Sequence, residues 1–326
     1  MNQPNILTAL KGLAMGMAEV VPGVSGGTIA FITNIYERLI ADIKTISKIP
    51  VHVWKKDGFG AFWKHIDGTF LLALLAGMLV GIVIGVLGIT YLLEQVPSLV
   101  WGFFFGLIIA SAIYIARKIK SFGLYEIILL IAGICIAYTI TVISPAQGSQ
   151  ALVFVFLSGM IAICALILPG ISGSFILLLL GMYTIILHSA KDLLSNFNSS
   201  SFLLILVFLL GCLSGLALFA NLLDYLFKKF HNPTLALLTG FMIGSLNRIW
   251  PWRNPVLWLD KTSGQYISIL TPGADPDSFH IVKEMNVLPA NYEGQALIFG
   301  VIIAFLSGLA IVWLLDRSDR SANFKA

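Results

Sequence analysis

"EVVPGVSGGTIAFITNIY", residues 19–36, places one proline, three glycines and a serine within six positions of an otherwise apolar stretch. Proline removes a backbone donor and glycine tolerates positive φ, so a helix cannot run through these residues unbroken. Residues 166–183, "LILPGISGSFILLLLGMY", repeat the pattern. The question is why a chain this apolar breaks its helices twice in the same way.

Of the 326 residues, 58% are hydrophobic and 11% charged, against about 25% charged in ordinary globular domains. Apolar runs at Phe70–Tyr91, Leu99–Ala116, Tyr125–Ile143, Leu203–Phe227, Leu235–Ile249 and Ala296–Leu315 approach or reach the roughly 20 residues a helix needs to cross hydrocarbon. The composition predicts an all-α polytopic membrane protein. Lys11 interrupts the first apolar stretch and no small-residue cleavage site follows, which argues against a cleaved signal. Cys135, Cys164 and Cys212 lie far apart within apolar segments and read as small core residues rather than a disulfide or metal site.

The chain is written twice. At a shift of 147, the step from Pro22 to Pro169, Gly23, Ser25, Gly26 and Tyr36 meet Gly170, Ser172, Gly173 and Tyr183. "GMLVG" at 77–81 recurs as "GCLSG" at 211–215, and "GFFFG" at 102–106 as "GFMIG" at 240–244. Any one small-xxx-small match is weak, since such pairs are common in membrane helices. The six-residue loop with its distant tyrosine is the stronger signal. The expected organisation is a first repeat over 1–145, with a hairpin at 5–40, a cytoplasmic interfacial segment at 41–68 and three spans. The second repeat covers 150–318, with a hairpin at 151–189, three spans and an extracytoplasmic loop at 250–293.

Three crossings per repeat put the second repeat on the opposite side from the first, so the two are expected to be inverted, as in many secondary transporters. The pieces flanking the first loop, Ile6–Val21 and Ser25–Ile40, reach roughly 24 Å at 1.5 Å per residue, short of the roughly 30 Å core. Re-entrant hairpins are therefore expected. On this layout fifteen of the 20 Lys and Arg residues fall on one side, which the positive-inside rule assigns to the cytoplasm together with both termini.

At the hairpin tips, Ser25 and Ser172 are good N-caps for the half-helices that follow. The first amides of those helices lack intrahelical partners and carry the positive end of the dipole. Irregular backbone at membrane depth must line a cavity, so the tips are expected to form an anion site suited to phosphate. The candidate residues are Pro22, Gly23, Ser25, Gly26, Gly27 and Thr28, with Pro169, Gly170, Ser172, Gly173 and Ser174. The bland alternative is a pair of kinks relieved by tight packing. Glu19 is asymmetric, because its partner position holds Leu166. A buried carboxylate there reads either as a proton-coupling group or as a structural acid bonding the opposite loop's amides. Arg248, in "GSLNRIWPWR", runs against the positive-inside bias and is a candidate phosphate-recruiting residue, with the tryptophans around it explained by an aromatic belt. Arg38 reads as an interfacial, snorkelling arginine.

"GVSG" and "GISG" also match the G-x-S-G of intramembrane serine proteases. None of the five histidines, His52, His65, His188, His231 and His280, falls at mid-membrane depth where a base must reach the serine. No metal cluster, Walker loop or nucleic-acid signature is legible. The expectation is a non-enzyme without metal or cofactor.

The stretch starting at Gly12 and running through "MGMAEVVPGVSGGTIAFITNIYERLI", with "LPGISGSFILLLLGMY" and "GFMIGSLNRIWPW", resembles the bacterial and archaeal polyprenyl-phosphate (undecaprenyl-phosphate) transporters, a family long labelled as a membrane domain of unknown function. The resemblance covers nearly the whole chain. It implies return of the cell-wall lipid carrier from the outer to the inner leaflet of the cytoplasmic membrane, with the phosphate held at the two tips. Partners would be polyprenyl phosphate and membrane lipids, with protons as a candidate coupling ion. One departure is Asn34, where the second copy has Gly181. The alternative keeps the architecture and changes the cargo to a small anion, in a channel or proton-coupled exchanger. A lipid needs a side opening between helices, whereas a small ion needs an aqueous pore.

Overall fold

The computed structural model describes residues 5–323 except 22, 49–50, 197, 261–264 and 269–277. Pro22 therefore lies outside the described residues. The first broken pair is α1 (Asn5–Glu19), α2 (Gly26–Ile32) and α3 (Tyr36–Lys48), followed by α4 (Val51–His65). Three long helices follow: α5 (Gly68–Gln95), α6 (Pro97–Ala116) and α7 (Leu124–Val142). The second broken pair is α8 (Leu152–Ile167), α9 (Gly173–Leu179) and α10 (Tyr183–Asn196), and after it come α11 (Ser199–Lys229), α12 (His231–Ser245) and α13 (Ile298–Asn323). The fold is all-α and polytopic. Among the described residues five helices, α5, α6, α7, α11 and α13, are long and apolar enough to cross a membrane. Their outer faces carry exposed residues such as Leu79, Leu87, Leu213 and Phe299, an apolar exterior that suits a bilayer and not water.

Both breaks adopt the same backbone. Gly23 and Gly170 sit at φ 88° and 84°, and the second bend is made at Asn34 (φ 56°) and Gly181 (φ 66°). Asparagine is among the few residues that tolerate the left-handed region, so Asn34 performs the turn that glycine performs in the second copy. Beyond that bend α9 and α10 are inclined by 106°. Both third helices run past the expected hairpin ends, α3 to Lys48 and α10 to Asn196. Lys44 of α3 pairs with Asp224 of α11, which also holds Lys228 at 2.9 Å, so the continuation is anchored on α11. Arg38 does more than snorkel: its Nε donates to Asp67 at 2.9 Å and its guanidinium lies 4.0 Å from the Phe70 ring centre.

Close helix approaches fix the directions. A Cβ on Gly77 or Gly81 of α5 would strike the backbone of Ala9 or Leu13, so α1 and α5 run parallel in near-backbone contact, as small-residue stripes allow. Gly211 and Gly215 of α11 meet Phe156 and Met160 of α8 in the same sense. Gly102 and Gly106 of α6 meet Val301 and Phe305 of α13, while Gly240 and Gly244 of α12 meet Leu130 and Ile134 of α7. Val96 alone joins α5 to α6 and Phe230 alone joins α11 to α12, so those pairs fold back. The Lys120 amide just after α6 donates to Asn232 Oδ1 at the start of α12 at 3.4 Å, so α6 runs against the α12 it packs on. Helices α5, α7 and α12 point one way, and α6, α11 and α13 the other. Cys135 faces outward, contrary to its expected core placement, while Cys164 and Cys212 are half-buried.

The segment between α12 and α13 contains a structure the sequence did not announce. Strands β1 (Arg253–Asp260), β2 (Tyr266–Ile267) and β3 (Phe279–Asn286) form an antiparallel sheet of order β2-β1-β3, with Arg253 opposite Asn286 and Trp258 opposite Ile281. Leu259 and Val282 of the sheet pack on Phe175 and Leu178 of α9. The sheet therefore sits on the second hairpin.

Candidate functional site: the junction of the two hairpin tips

The two tips touch. Ser25 Oγ donates to the Leu166 carbonyl at 3.1 Å, and the Gly170 amide donates to Thr28 Oγ1 at 3.2 Å. A Cβ on Gly27 would collide with the Ile167 carbonyl, so glycine permits this approach. Ser25 and Thr28 are completely buried and Ser172 is 1% exposed. Irregular backbone at such depth needs its polar groups satisfied, and the two tips meet that demand differently.

In the first tip the amides are answered from within. Gly26 N–H donates to Glu19 Oε1 at 2.7 Å, and Gly27 N–H to Ser25 Oγ at 3.0 Å. Glu19 thus bonds its own loop rather than the opposite one, and its carboxylate stands where an external anion would stand. In the second tip Leu166 replaces that acid. Ser172 occupies the N-cap position without capping, and its hydroxyl lies 2.9 Å from that of Ser174. A Cβ on Gly173 would meet the Ala162 carbonyl and Leu166 Cβ. The expected side-chain cap holds for Ser25 and fails for Ser172. Pro169 precedes the Gly170 turn, and the Ile171 amide donates back to the Leu168 carbonyl at 3.4 Å.

Arg248 stands at the seam. It follows α12, and a Cβ on Gly23 of the first tip would come within 3.0 Å of its Cγ. Its guanidinium lies 4.9 Å from the ring centre of Phe175 in the second tip. A small cavity of about 10 Å³ lies there, lined by Gly23, Thr141, Gly170, Ser172, Ser245 and Arg248, room for at most one water. Arg248 Nη1 pairs with Glu284 Oε2 at 3.1 Å, and Arg253 Nη1 pairs with the same oxygen at 2.9 Å. Arg253 is stacked on Trp101, 4.0 Å from the ring centre. Burial lowers its guanidinium to about 10, with Glu284 opposing the shift and Arg248 adding to it. Arg253 therefore remains charged at neutral pH. Two cations share one carboxylate, and Arg248 Nε, Arg253 Nε and Arg253 Nη2 are buried with no acceptor among the described residues. A buried donor left unmade costs about 1–3 kcal/mol, so the junction is short of anionic acceptors.

The structure thus brings Gly23, Ser25, Gly26, Gly27 and Thr28 together with Pro169, Gly170, Ser172, Gly173 and Ser174, and sets Arg248 beside them. Glu284, Thr141 and Phe175 escaped sequence reasoning, whereas Arg253, the last residue of "GSLNRIWPWR", runs against the positive-inside bias as Arg248 does. Glu284 lies on a strand more than thirty residues from its arginine, and no local spacing signals such a pair.

Fold and junction together define a multi-pass membrane protein whose two broken helix pairs meet tip to tip beside a buried, acceptor-poor arginine pair. The chain belongs to the VCA0040-like family, described as undecaprenyl phosphate translocase-like, whose model matches residues 15–267. It is 44% identical over 302 residues to a polyprenyl-phosphate transporter of Vibrio cholerae serotype O1, covering 93% of this chain and 95% of that protein. It is 34% identical over 278 residues to a polyprenyl-phosphate transporter of Staphylococcus aureus, covering 79% and 91%. No solved structure gives a significant match.

Proposed function

We propose that this protein is a transporter, not an enzyme, that moves polyprenyl phosphate of the undecaprenyl type across the cytoplasmic membrane from the outer to the inner leaflet, recycling the cell-wall lipid carrier. The observation that carries the proposal is Arg248, placed against Gly23 and Phe175 at the seam of both tips with a buried Nε that has no acceptor among the described residues. The names of the two relatives support the cargo. A phosphate faces a barrier of several kcal/mol in hydrocarbon, and a cationic seam lowers it. Arg248 and the Ser172 and Ser174 hydroxyls receive the headgroup, which displaces Glu284 from Arg248. The Gly26, Gly27 and Thr28 amides of the first tip, now answered within their own loop, are the partners offered when Glu19 releases Gly26, with protons as the coupling ion at that carboxylate.

The two halves, 1–145 and 150–318, are read as inverted repeats with re-entrant hairpins. Supporting this, α5, α6 and α7 run opposite to α11, α12 and α13, and α1 opposite to α8. Rocking one hairpin against the other at the Ser25–Leu166 and Thr28–Gly170 contacts gives alternating access. The basic residues place both termini in the cytoplasm.

The test uses purified protein in liposomes with labelled polyprenyl phosphate in one leaflet. Movement to the other leaflet, without chloride or inorganic phosphate flux through the same vesicles, is expected. Small-anion flux without lipid movement overturns the reading in favour of an anion exchanger.

A further inference from the structure

Beside the first hairpin α1 pairs with α5 and α6 pairs with α13, and the two helix pairs join where Val96 links α5 to α6. Between them lies a cleft of about 890 Å³, floored by Ile29 and Ile32 of α2. Its walls come from Ala14 and Ala18 of α1, the end of α5, the first half of α6 with Phe103 and Phe104, and Ile311 and Leu315 of α13. The lining is apolar apart from Lys11 and Thr33, where Lys11 Nζ donates to the Thr33 carbonyl at 2.7 Å. Leu7, Leu10 and Leu92 along the cleft are 43%, 55% and 45% exposed, so it opens sideways to the bilayer and not through a polar pore.

We propose that this cleft seats the headgroup-proximal isoprene units of the polyprenyl chain, so that the protein holds the lipid by its tail as well as by its phosphate. The proposal rests on the lipid-phosphate reading above. Three observations select this occupant. The cleft wall reaches the first tip at Ala18, next to Glu19, so an apolar chain lying in it delivers its phosphate end to the junction. Its one charged lining residue, Lys11, is cationic and complements a phosphate entering or leaving that way. Its volume lies at the top of the range that encloses drug-sized ligands, enough for part of a long chain while the rest stays in lipid.

Moving an apolar chain from bilayer to cleft brings no hydrophobic gain, because lipid tails are as apolar as leucine. Preference must come from packing, through many weak contacts between the methyl-branched, unsaturated chain and the branched and aromatic walls. The cleft should therefore discriminate by chain shape, and modestly.

The test places the photoreactive residue p-benzoylphenylalanine at Leu92, which lines the cleft, or at Leu87, which is 72% exposed on the same helix outside it. Full-length protein in liposomes is irradiated with labelled polyprenyl phosphate. Labelling at Leu92 should exceed that at Leu87 by about tenfold, a packing preference of about 1.4 kcal/mol. Unlabelled polyprenyl phosphate should suppress it and an equal amount of phosphatidylglycerol should not. Equal labelling at both positions, or equal suppression by phosphatidylglycerol, overturns the tail site and makes the cleft a place for ordinary lipid. As a second measurement, Ala14→Phe narrows the cleft and should slow lipid movement with an unchanged melting temperature; movement at the wild-type rate overturns the tail site. A wild type that moves lipid without the Leu92 preference removes only the cleft proposal, whereas a wild type that moves no polyprenyl phosphate removes the lipid-phosphate reading with it.

Discussion

The two hairpin tips share a backbone and differ in wiring. Gly23 and Gly170 turn at φ 88° and 84°, and Asn34 and Gly181 make the next bend at φ 56° and 66°. Yet the first tip carries its own carboxyl group, Glu19 on the Gly26 amide, while the second has Leu166 at that place and faces the guanidinium of Arg248. A repeated backbone thus supplies two sites of opposite character, one filled from within and one short of acceptors.

The sharpest way to break the contrast is Leu166→Glu, which gives the second tip the acid of the first. A carboxylate beside Gly173 should fill that tip and lower lipid movement by about 100-fold, equivalent to about one charge-assisted hydrogen bond lost to the headgroup. Liposome transport at matched protein amounts checks this; a wild-type rate would show that the second tip need not be free. Next in size is Glu19→Gln, which keeps an acceptor for the Gly26 amide and removes the charge. Transport should fall about tenfold and lose its dependence on pH between 5 and 9, while the melting temperature holds. A rate that still changes with pH as in wild type removes Glu19 as the coupling group.

The serines sharpen the comparison at smaller amplitude. Ser25→Ala removes a helix cap and the bond to Leu166, and should cost about 1–2 kcal/mol of stability, read as a lower melting temperature in detergent. Ser172→Ala removes no cap and only the bond to Ser174, so its stability cost should be smaller, about 0.5–1 kcal/mol, while the apparent affinity for lipid phosphate weakens. The reverse ranking of stability costs would erase the distinction between tips. Smallest in transport is Gly181→Ala: the positive φ and the close Gly148 backbone should cost about 1–2 kcal/mol of stability, with lipid affinity unchanged.

Much of this was legible in the chain. Proline-glycine clusters at two places, apolar runs of spanning length and glycines spaced by four identified the breaks, the long helices and their close contacts, because each depends on neighbours within a turn or two. Arg248 stood out for its charge on the wrong side of the membrane bias. The wiring was not legible. Whether Glu19 reaches its own loop or the opposite one depends on a turn of six residues folding back, and the same chemistry permits both. Glu284 and the sheet that aims it come from a mixed stretch whose strands are paired by tertiary packing on α9, which leaves no periodic trace. Asn34 looked like a departure from the repeat and proved to be a second solution to the same left-handed bend.

The most direct measurement is leaflet-to-leaflet movement of labelled polyprenyl phosphate by wild type and Arg248→Gln, side by side in the same liposomes. Glutamine keeps a donor at the seam and removes the charge, so movement should fall by about 100-fold, some 2–3 kcal/mol of charge-assisted bonding, with the melting temperature little changed. Equal rates for the two proteins would contradict the assignment of the tip junction as the place where the phosphate is held.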